Sequence, residues 1–337
     1  MTVNSKEFNA GKVATEKPES LFRDALSRLI KNKAAVIGAI IIVLLVLIAI
    51  FADQIAPTHF AAGNLAKENS VPQWLVNIFP IMKNYANLST EFSFGSDAIG
   101  RDLLSRIIYG TRVSLAVAFI GPILALLIGV TYGSISGYFG GKVDNIMMRF
   151  VDIMYGFPSI LFIILMMAFF RTSLSDIQPG SFAYSLRQLD ESMGGLFFIF
   201  IGIGMTSWET MARLTRGQIL SIKEKEFVEA ARSIGASDMR IIFKHILPNI
   251  LGPLIVSETL AIPGYISTEA FLSYIGLGVN PPTPSWGAMI SDGARSIRSY
   301  PYQVLLPALA LAITMFAFNF LGDGLRDAFD PKLRGRE

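Results

Sequence analysis

Cysteine is absent from the 337 residues, which removes disulfides, thiolate nucleophiles and cysteine metal ligands together. Only two histidines occur, His59 and His245, too far apart in sequence to argue for a histidine-built metal centre, so no metal site is expected. Charge is scarce as well: 16% of residues are Asp, Glu, Lys or Arg, against about 25% in soluble domains. The formal net charge of +3 gives no overall footprint for nucleic acid. What fills the chain is apolar, 52% of it, at a mean hydropathy of +0.50. A chain of this balance has lipid as its main solvent.

A helical crossing of the bilayer core needs about 20 mostly apolar residues. Six stretches qualify: Ala34–Ala52, Val113–Gly141, Ile153–Phe170, Ser192–Trp208, Ile246–Thr268 and Ser299–Gly322. Only the fifth is interrupted by a charge, Glu258. Helices are expected because backbone amides in hydrocarbon must be satisfied within their own segment, and the ten-residue alternation of a membrane barrel is missing. Placing the N-terminus inside puts 20 of the 29 basic residues on the cytoplasmic side, as the positive-inside rule favours. The expected location is therefore a cytoplasmic membrane with both termini inside. Ahead of the first span, Phe22, Ala25, Leu26, Leu29 and Ile30 recur at helical spacing behind Ser20, a candidate N-cap. This reads as a helix resting on the inner membrane surface.

Within the second span, Gly121, Ala125, Gly129, Gly133 and Gly137 form a column of small residues at intervals of four. Such a column lets a second helix approach closely, which is how membrane helices associate. Pro122, Pro158, Pro253, Pro263 and Pro307 mark expected kinks, and Pro158 is a candidate for the translocation path. Glu258 is another, since an acid in mid-span normally faces a protein interior or a water-filled cavity; a shorter span that leaves it near the outer surface is the alternative.

The most patterned polar stretch lies between the fourth and fifth spans. Glu224 to Ser233 are good helix formers, and Gly235 stands where a helix would end in a left-handed turn. Ser237 can cap a second short helix, Asp238 complements its dipole, and Met239, Ile242, Phe243 and Ile246 share one face. The expected unit is a helix, a glycine turn and an amphipathic helix projecting from the inner face, with Ala230, Ala231 and Ala236 leaving room for a partner. Amphipathicity alone leaves open whether that face meets a protein or the membrane surface.

Glu229-Ala230-Ala231, Gly235 four residues later and then Leu247-Pro248 resemble the EAA loop in membrane subunits of ATP-binding-cassette importers. The variant His245-Ile246-Leu247-Pro248-Asn249 is similar to the dipeptide and oligopeptide branch, as are three further stretches. These are Arg23–Gly38 at the entry, Gly95–Arg106 before the second span and Gly322–Pro331 at the end. The resemblance, to the second of that branch's two membrane proteins, covers about Leu21 to Arg334 and is weakest over Pro57–Phe94.

The resemblance implies a type I importer fold of six transmembrane helices, all-α, with a cytoplasmic coupling helix that docks on an ATPase subunit. It divides the chain into an arm (1–33), a first span (34–54), an outer loop with a pre-span helix (55–110), a five-helix domain (111–323, loop 213–248) and a tail (324–337). Glu229, Ala230, Ala231, Gly235, Ser237, Asp238, Met239, Arg240, Ile242 and Phe243 become the implied coupling residues. The implied partners are a homologous permease completing a heterodimer, two ATP-binding cassette subunits that carry ATP and magnesium, and an extracytoplasmic peptide-binding protein. Peptide is the implied cargo, with nickel or another small solute as the alternative.

The residues also limit what the chain does alone. No Gly-x-x-x-x-Gly-Lys-Ser/Thr loop is present: Gly11-Lys12 and Gly141-Lys142 are each followed by valine. The phosphate cradle needed to hydrolyse ATP is therefore missing, and no cofactor is expected on this chain. No Gly-x-Ser-x-Gly nucleophile elbow occurs either. A secondary carrier or channel is the rival, but it would ordinarily show repeated halves, and the basic inner loop has no use in it. The outer residues Pro57–Phe94, with Trp74, Phe79 and Tyr85, are read either as contact area for a binding protein or as a tolerated insertion.

Overall fold

The computed structural model describes residues 21–173, 178 and 180–330. The candidate cap at Ser20 with the arm before it, and the tail after Asp330, lie outside the described residues. The first helix, α1 (Leu21–Lys31), is followed by α2 (Lys33–Ile50), whose first amides donate to the Asn32 side chain. Contrary to the expectation of a helix resting only on the membrane, α1 packs against the end of the last helix, with Leu29 beside Gly324. Leu26 and Ile30 stay exposed, so the apolar stripe is shared between protein and surroundings.

A short α3 (Ala52–Ile55) leads into the outer segment. That segment is ordered against the bundle. It contains two two-residue strands, β1 (Ser70–Val71) and β2 (Asn87–Leu88), paired in parallel around α4 (Gln73–Ile78) and a 3₁₀ stretch Pro80–Asn84. Val71, Leu75, Val76 and Met82 are buried in one cluster with Leu103, Trp286, Met289 and Tyr302, three elements of the main bundle. The Gly95–Arg106 stretch clamps this layer: the Asp97 carboxylate accepts from Arg101 and Arg106, each at 2.6 Å. Burial pushes the Asp97 pKa upward, yet the Arg101 amide and the two guanidinium charges outweigh it and hold the carboxyl below its ordinary range.

The second span is α5 (Leu103–Phe139), capped by Asp102 through the Ser105 amide. Next come α6 (Gly141–Tyr155) and α7 (Ser159–Ser173), a pair bent by 78°. The third span, expected from Ile153 with a kink at Pro158, is interrupted at Gly156–Pro158. Proline has no amide to continue the ladder and disfavours a helical residue before it. A second bent pair, at 97°, joins α8 (Phe182–Ser192) to α9 (Phe197–Ile222). Gly194 and Gly195, both at positive φ, make that corner, so the fourth span begins at Phe197 rather than Ser192. It also runs on to Ile222, and the first ten residues assigned to the polar loop are helical. Their charges are paired sideways, Arg213 to Asp152 at 2.8 Å and Arg216 to Asp144 at 2.5 Å.

After α10 (Glu226–Ser233) and the single turn α11 (Asp238–Arg240), residues Ile241–Ile246 widen into a π pattern that passes directly into α12 (Leu247–Tyr274). Then come α13 (Trp286–Ala294) and α14 (Tyr302–Phe329). Among the described residues four helices are long and apolar enough to cross a membrane unaided, and the count reaches six when each bent pair is taken as one span.

The tightest seam joins α5 to α9. A Cβ built on Gly129 would lie 2.6 Å from Met211 Cβ and 2.7 Å from the Trp208 carbonyl oxygen; one on Gly137 would lie 3.1 Å from the Arg216 carbonyl oxygen. Gly133 would overlap the Ala212 carbonyl, and Gly121 instead meets the ring of Tyr265 on α12 at 3.1 Å. Phe329 of α14 packs on Gly252 of α12, and Tyr138 of α5 reaches Asp238. The end of α14, the α1 helix and residues 223–246 thus gather at one end of the bundle, and the outer layer caps the other.

Candidate coupling site

The coupling segment is built on the end of α9. Lys223 donates to the Gly137 carbonyl at 3.2 Å, tying the exit of α9 to that of α5. On α10, Val228 and Ala231 turn inward and join Ile219, Ile241, Ile246 and Ile250 in a buried cluster. Glu229 and Ala230 face outward. The three residues of the Glu-Ala-Ala motif therefore divide: Ala231 is spent on internal packing and cannot leave room for a partner, whereas Ala230 can.

Gly235 ends α10 at φ +79°, in the left-handed region. The Ala236 amide donates to the Ala231 carbonyl at 3.1 Å and the Gly235 amide to the Arg232 carbonyl at 3.0 Å. These two bonds are the Schellman closure of a helix end. No atom lies within 4 Å of where a Gly235 side chain would begin, so backbone conformation and not crowding demands glycine here.

Beyond the turn, several expectations change. Ser237 has the extended backbone of an N-cap, but its side chain makes no capping bond. Asp238 does more than complement a dipole: its carboxylate accepts from the Tyr138 hydroxyl at 2.7 Å, fastening the turn to α5. Met239, Ile242 and Phe243 do not form one exposed stripe. Met239 and Phe243 are about three-fifths exposed while Ile242 is buried, because the π pattern adds a residue to the turn and rotates the face. Arg240 is exposed beside them. Ile234, at 86% exposure, and Phe227 are exposed apolar residues of the same segment as Met239 and Phe243. Sequence reasoning missed Ile234 and Phe227. The available signal was a large aliphatic residue directly before the helix-ending glycine, where it cannot reach the helix's own core.

The amphipathic unit after Gly235 is not a separate projecting helix. Helical structure runs unbroken from Asp238 to Tyr274, so the exposed Met239 and Phe243 sit on the base of the fifth span itself. Glu258 lies further along this helix. It is buried, and its carboxylate accepts from Tyr265 at 2.9 Å, so it faces the protein interior. It is also not the only buried acid of the spans: Glu209 on α9 and Glu269 on α12 are buried too. They fell just beyond the charge-free windows. Glu269 accepts from Ser273 at 2.6 Å. Pro158 is exposed at the α6–α7 break, and the adjacent Ser159 lines a cavity of about 190 Å³ that Tyr265 also lines. The two candidate pathway positions are thus each one side chain removed from the same cavity.

The described residues therefore combine an exposed surface at one end of the bundle, an unbroken helix and a polar cavity on that helix. The family model described as binding-protein-dependent transport system inner membrane component matches residues 125–335. The chain belongs to this family. A second model, the N-terminal TM domain of oligopeptide transport permease C, matches residues 20–72. Among curated proteins, the oligopeptide transport system permease protein OppC of Bacillus subtilis is 42% identical over 320 residues, covering 95% of this chain and 92% of the relative. The protein of the same name from Escherichia coli K12 is 41% identical over 94% of this chain and 92% of its own length. The dipeptide transport system permease protein DppC of Bacillus subtilis is 38% identical over 98% and 92%. Among solved structures, the inward-facing MetNI methionine ABC transporter matches with a TM-score of 0.51 at 20% identity, over 67% of this chain and 97% of that one. This likeness places the fold with type I importer permeases. Family and fold together make the chain a multi-pass inner-membrane protein.

Proposed function

We propose that this chain is the pore-forming permease subunit of an ATP-driven importer of dipeptides and oligopeptides, moving substrate from an external binding protein to the cytoplasm. The observation that carries the reading is the identity of about 40% to peptide permeases over more than nine-tenths of the chain. A self-sufficient carrier or channel is not favoured. The chain is a transport subunit without an ATPase site of its own, and ATP with magnesium is bound and hydrolysed by two partner subunits. A homologous permease supplies the second half of the pore. Both termini and residues 223–246 face the cytoplasm, in keeping with the distribution of basic residues.

The mechanism we assign to the coupling residues is mechanical. Ile234, Met239 and Phe243, with Phe227, Glu229, Ala230 and Arg240 around them, present the surface that an ATPase subunit grips. Because Met239, Arg240 and Phe243 of that surface belong to the helix carrying Glu258 and Tyr265, movement of the gripped end is delivered to the membrane interior through one continuous rod. From Met239 to Thr268 the rod is about 44 Å long at about 1.5 Å per residue. Pro253 and Pro263 within it are the sites at which it bends. Glu258 and Pro158 flank the translocation path.

The reading is tested by purifying the chain alone and with its partners. The isolated chain is expected to bind and hydrolyse no ATP, and ATP-dependent uptake of a tripeptide into proteoliposomes is expected only with permease partner, ATPase subunits and binding protein together. Turnover by the isolated chain would contradict the assignment.

The outer layer is the docking platform for the binding protein. It carries exposed Trp74, Ile78, Ile81, Tyr85 and Leu88 on the side away from the coupling surface. Deleting 57–94 would uncover the buried cluster around Trp286, so surface substitutions are the cleaner test. Ile81→Ser with Tyr85→Ser is expected to weaken binding-protein affinity about tenfold or more while leaving membrane insertion intact, since exposed apolar anchors dominate such interfaces. Unchanged affinity in a titration would reduce the layer to a structural role.

A further inference from the structure

The cavity between α7, α9 and α12 has an unusual polarity. Five hydroxyl groups line it: Ser159 on α7, Thr206 and Ser207 on α9, and Tyr265 and Thr268 on α12. The four on α9 and α12 have already committed their single protons. Thr206 donates to the Gly202 carbonyl at 2.9 Å, Ser207 to the Ile203 carbonyl at 2.6 Å, Thr268 to the Gly264 carbonyl at 2.9 Å, and Tyr265 to Glu258 at 2.9 Å. A hydroxyl has one donor and two lone pairs, so all four oxygens are left to the cavity as acceptors. Side chains bonded to their own helix in this way are common singly in membrane helices; here four converge on one space.

The mouth of that space is open. Ser159 and Gly264 are exposed, Thr268 is half-buried, and nothing lies within 4 Å of where a Gly264 side chain would begin. Hydrocarbon is a poor neighbour for such a polar opening, which favours a water-filled path or the facing permease as what it adjoins. At about 190 Å³ the cavity falls below the roughly 300–1,000 Å³ of pockets that enclose a whole small ligand. It suits a grip on part of a longer one.

We infer that this cavity receives the main chain of the peptide in transit, with substrate N–H groups donating to the oxygens of Thr206, Ser207, Tyr265 and Thr268. The inference rests on the peptide-importer reading and adds to it the chemistry that is recognised. Main-chain N–H groups are common to all peptides, so an acceptor wall holds substrate without reading its side chains. A carboxylate brings only lone pairs and finds no donor among these four oxygens.

The test uses the complete importer in proteoliposomes, with ATP, the binding protein and two probes: a tripeptide and the same tripeptide N-methylated at its amides. Uptake is measured for the native chain, for Thr206→Val with Thr268→Val, and for Gly264→Leu. Binding-protein preference is common to all three and cancels when the ratio of the two probes is compared between them. The native importer is expected to favour the unmethylated peptide. The double variant should take it up about fivefold more slowly for each acceptor lost, and should lose much of the preference. Gly264→Leu, which fills open space without a clash, should slow both probes alike while binding-protein-stimulated ATPase activity persists. An unchanged probe ratio in the double variant, or normal uptake by Gly264→Leu, would overturn the inference while leaving the importer reading intact. A native importer that moves no peptide overturns both.

Discussion

Gly235→Val is expected to abolish peptide uptake while the chain still inserts and accumulates in the membrane. At φ +79° a side chain costs about 1–2 kcal/mol, and a β-branched one more. Nothing crowds the position, so the whole effect is conformational: the turn must leave the left-handed region. The Ala236 and Gly235 amides then lose their bonds to Ala231 and Arg232, and Ile234 is turned away from Met239 and Phe243. The spans themselves are untouched, because the tight α5–α9 seam is made elsewhere. The expected phenotype is normal membrane content with ATPase subunits that either fail to co-purify or hydrolyse without transport. Gly235→Asn provides the control, since asparagine visits the left-handed region readily and should retain most of the uptake. Glu229→Lys should impair coupling in the same direction by reversing charge on the gripped surface. Uptake by Gly235→Val at the native rate would remove residues 223–246 from the coupling mechanism.

Gly133→Val is expected to act on the fold rather than on coupling. Its Cβ would overlap the Ala212 carbonyl oxygen and sit 2.8 Å from Thr215 Cβ, with backbone on the opposing side unable to yield. The α5 and α9 helices would have to separate along the seam, at a cost of about 3 kcal/mol or more. Membrane helices are held by such packing because burial from water cannot drive them together, so little compensates for the loss. Folded chain in detergent extracts should fall severalfold, and its thermal aggregation point should drop. Gly217→Val, on the same α9 helix but facing open space, should do neither. Equal yields of the two variants would mean that the seam is not what holds α5 to α9.

Several features were legible in the residues because they follow from local chemistry. The six crossings follow from the length of charge-free stretches, the helix-ending turn from Gly235 and the close seam from the four-residue glycine column. The family was legible from Glu229-Ala230-Ala231, Gly235 and Leu247-Pro248, whose order and spacing survive without any knowledge of contacts. Where sequence reading went astray, it treated charge as the end of a span. Arg213 and Arg216 continue α9 because Asp152 and Asp144 on α6 pair with them, and Glu209 and Glu269 are buried within helices whose windows stopped short of them.

The sequence by itself thus determined that this chain lives in a membrane as six helices and that it has no ATPase site of its own. These depend on composition and on spacing along one chain. Only the tertiary structure decided that Met239 and Phe243 are exposed while Ile242 is buried, since the π pattern of Ile241–Ile246 shifts the face and no propensity rule registers it. Only the tertiary structure decided that Met239 and Phe243 stand at the base of the fifth span, and that hydroxyls from α9 and α12 meet in one cavity. Residues 58 or more apart in sequence, such as Ser207 and Tyr265, become neighbours through helix packing, and packing is a property of two surfaces that neither sequence segment contains.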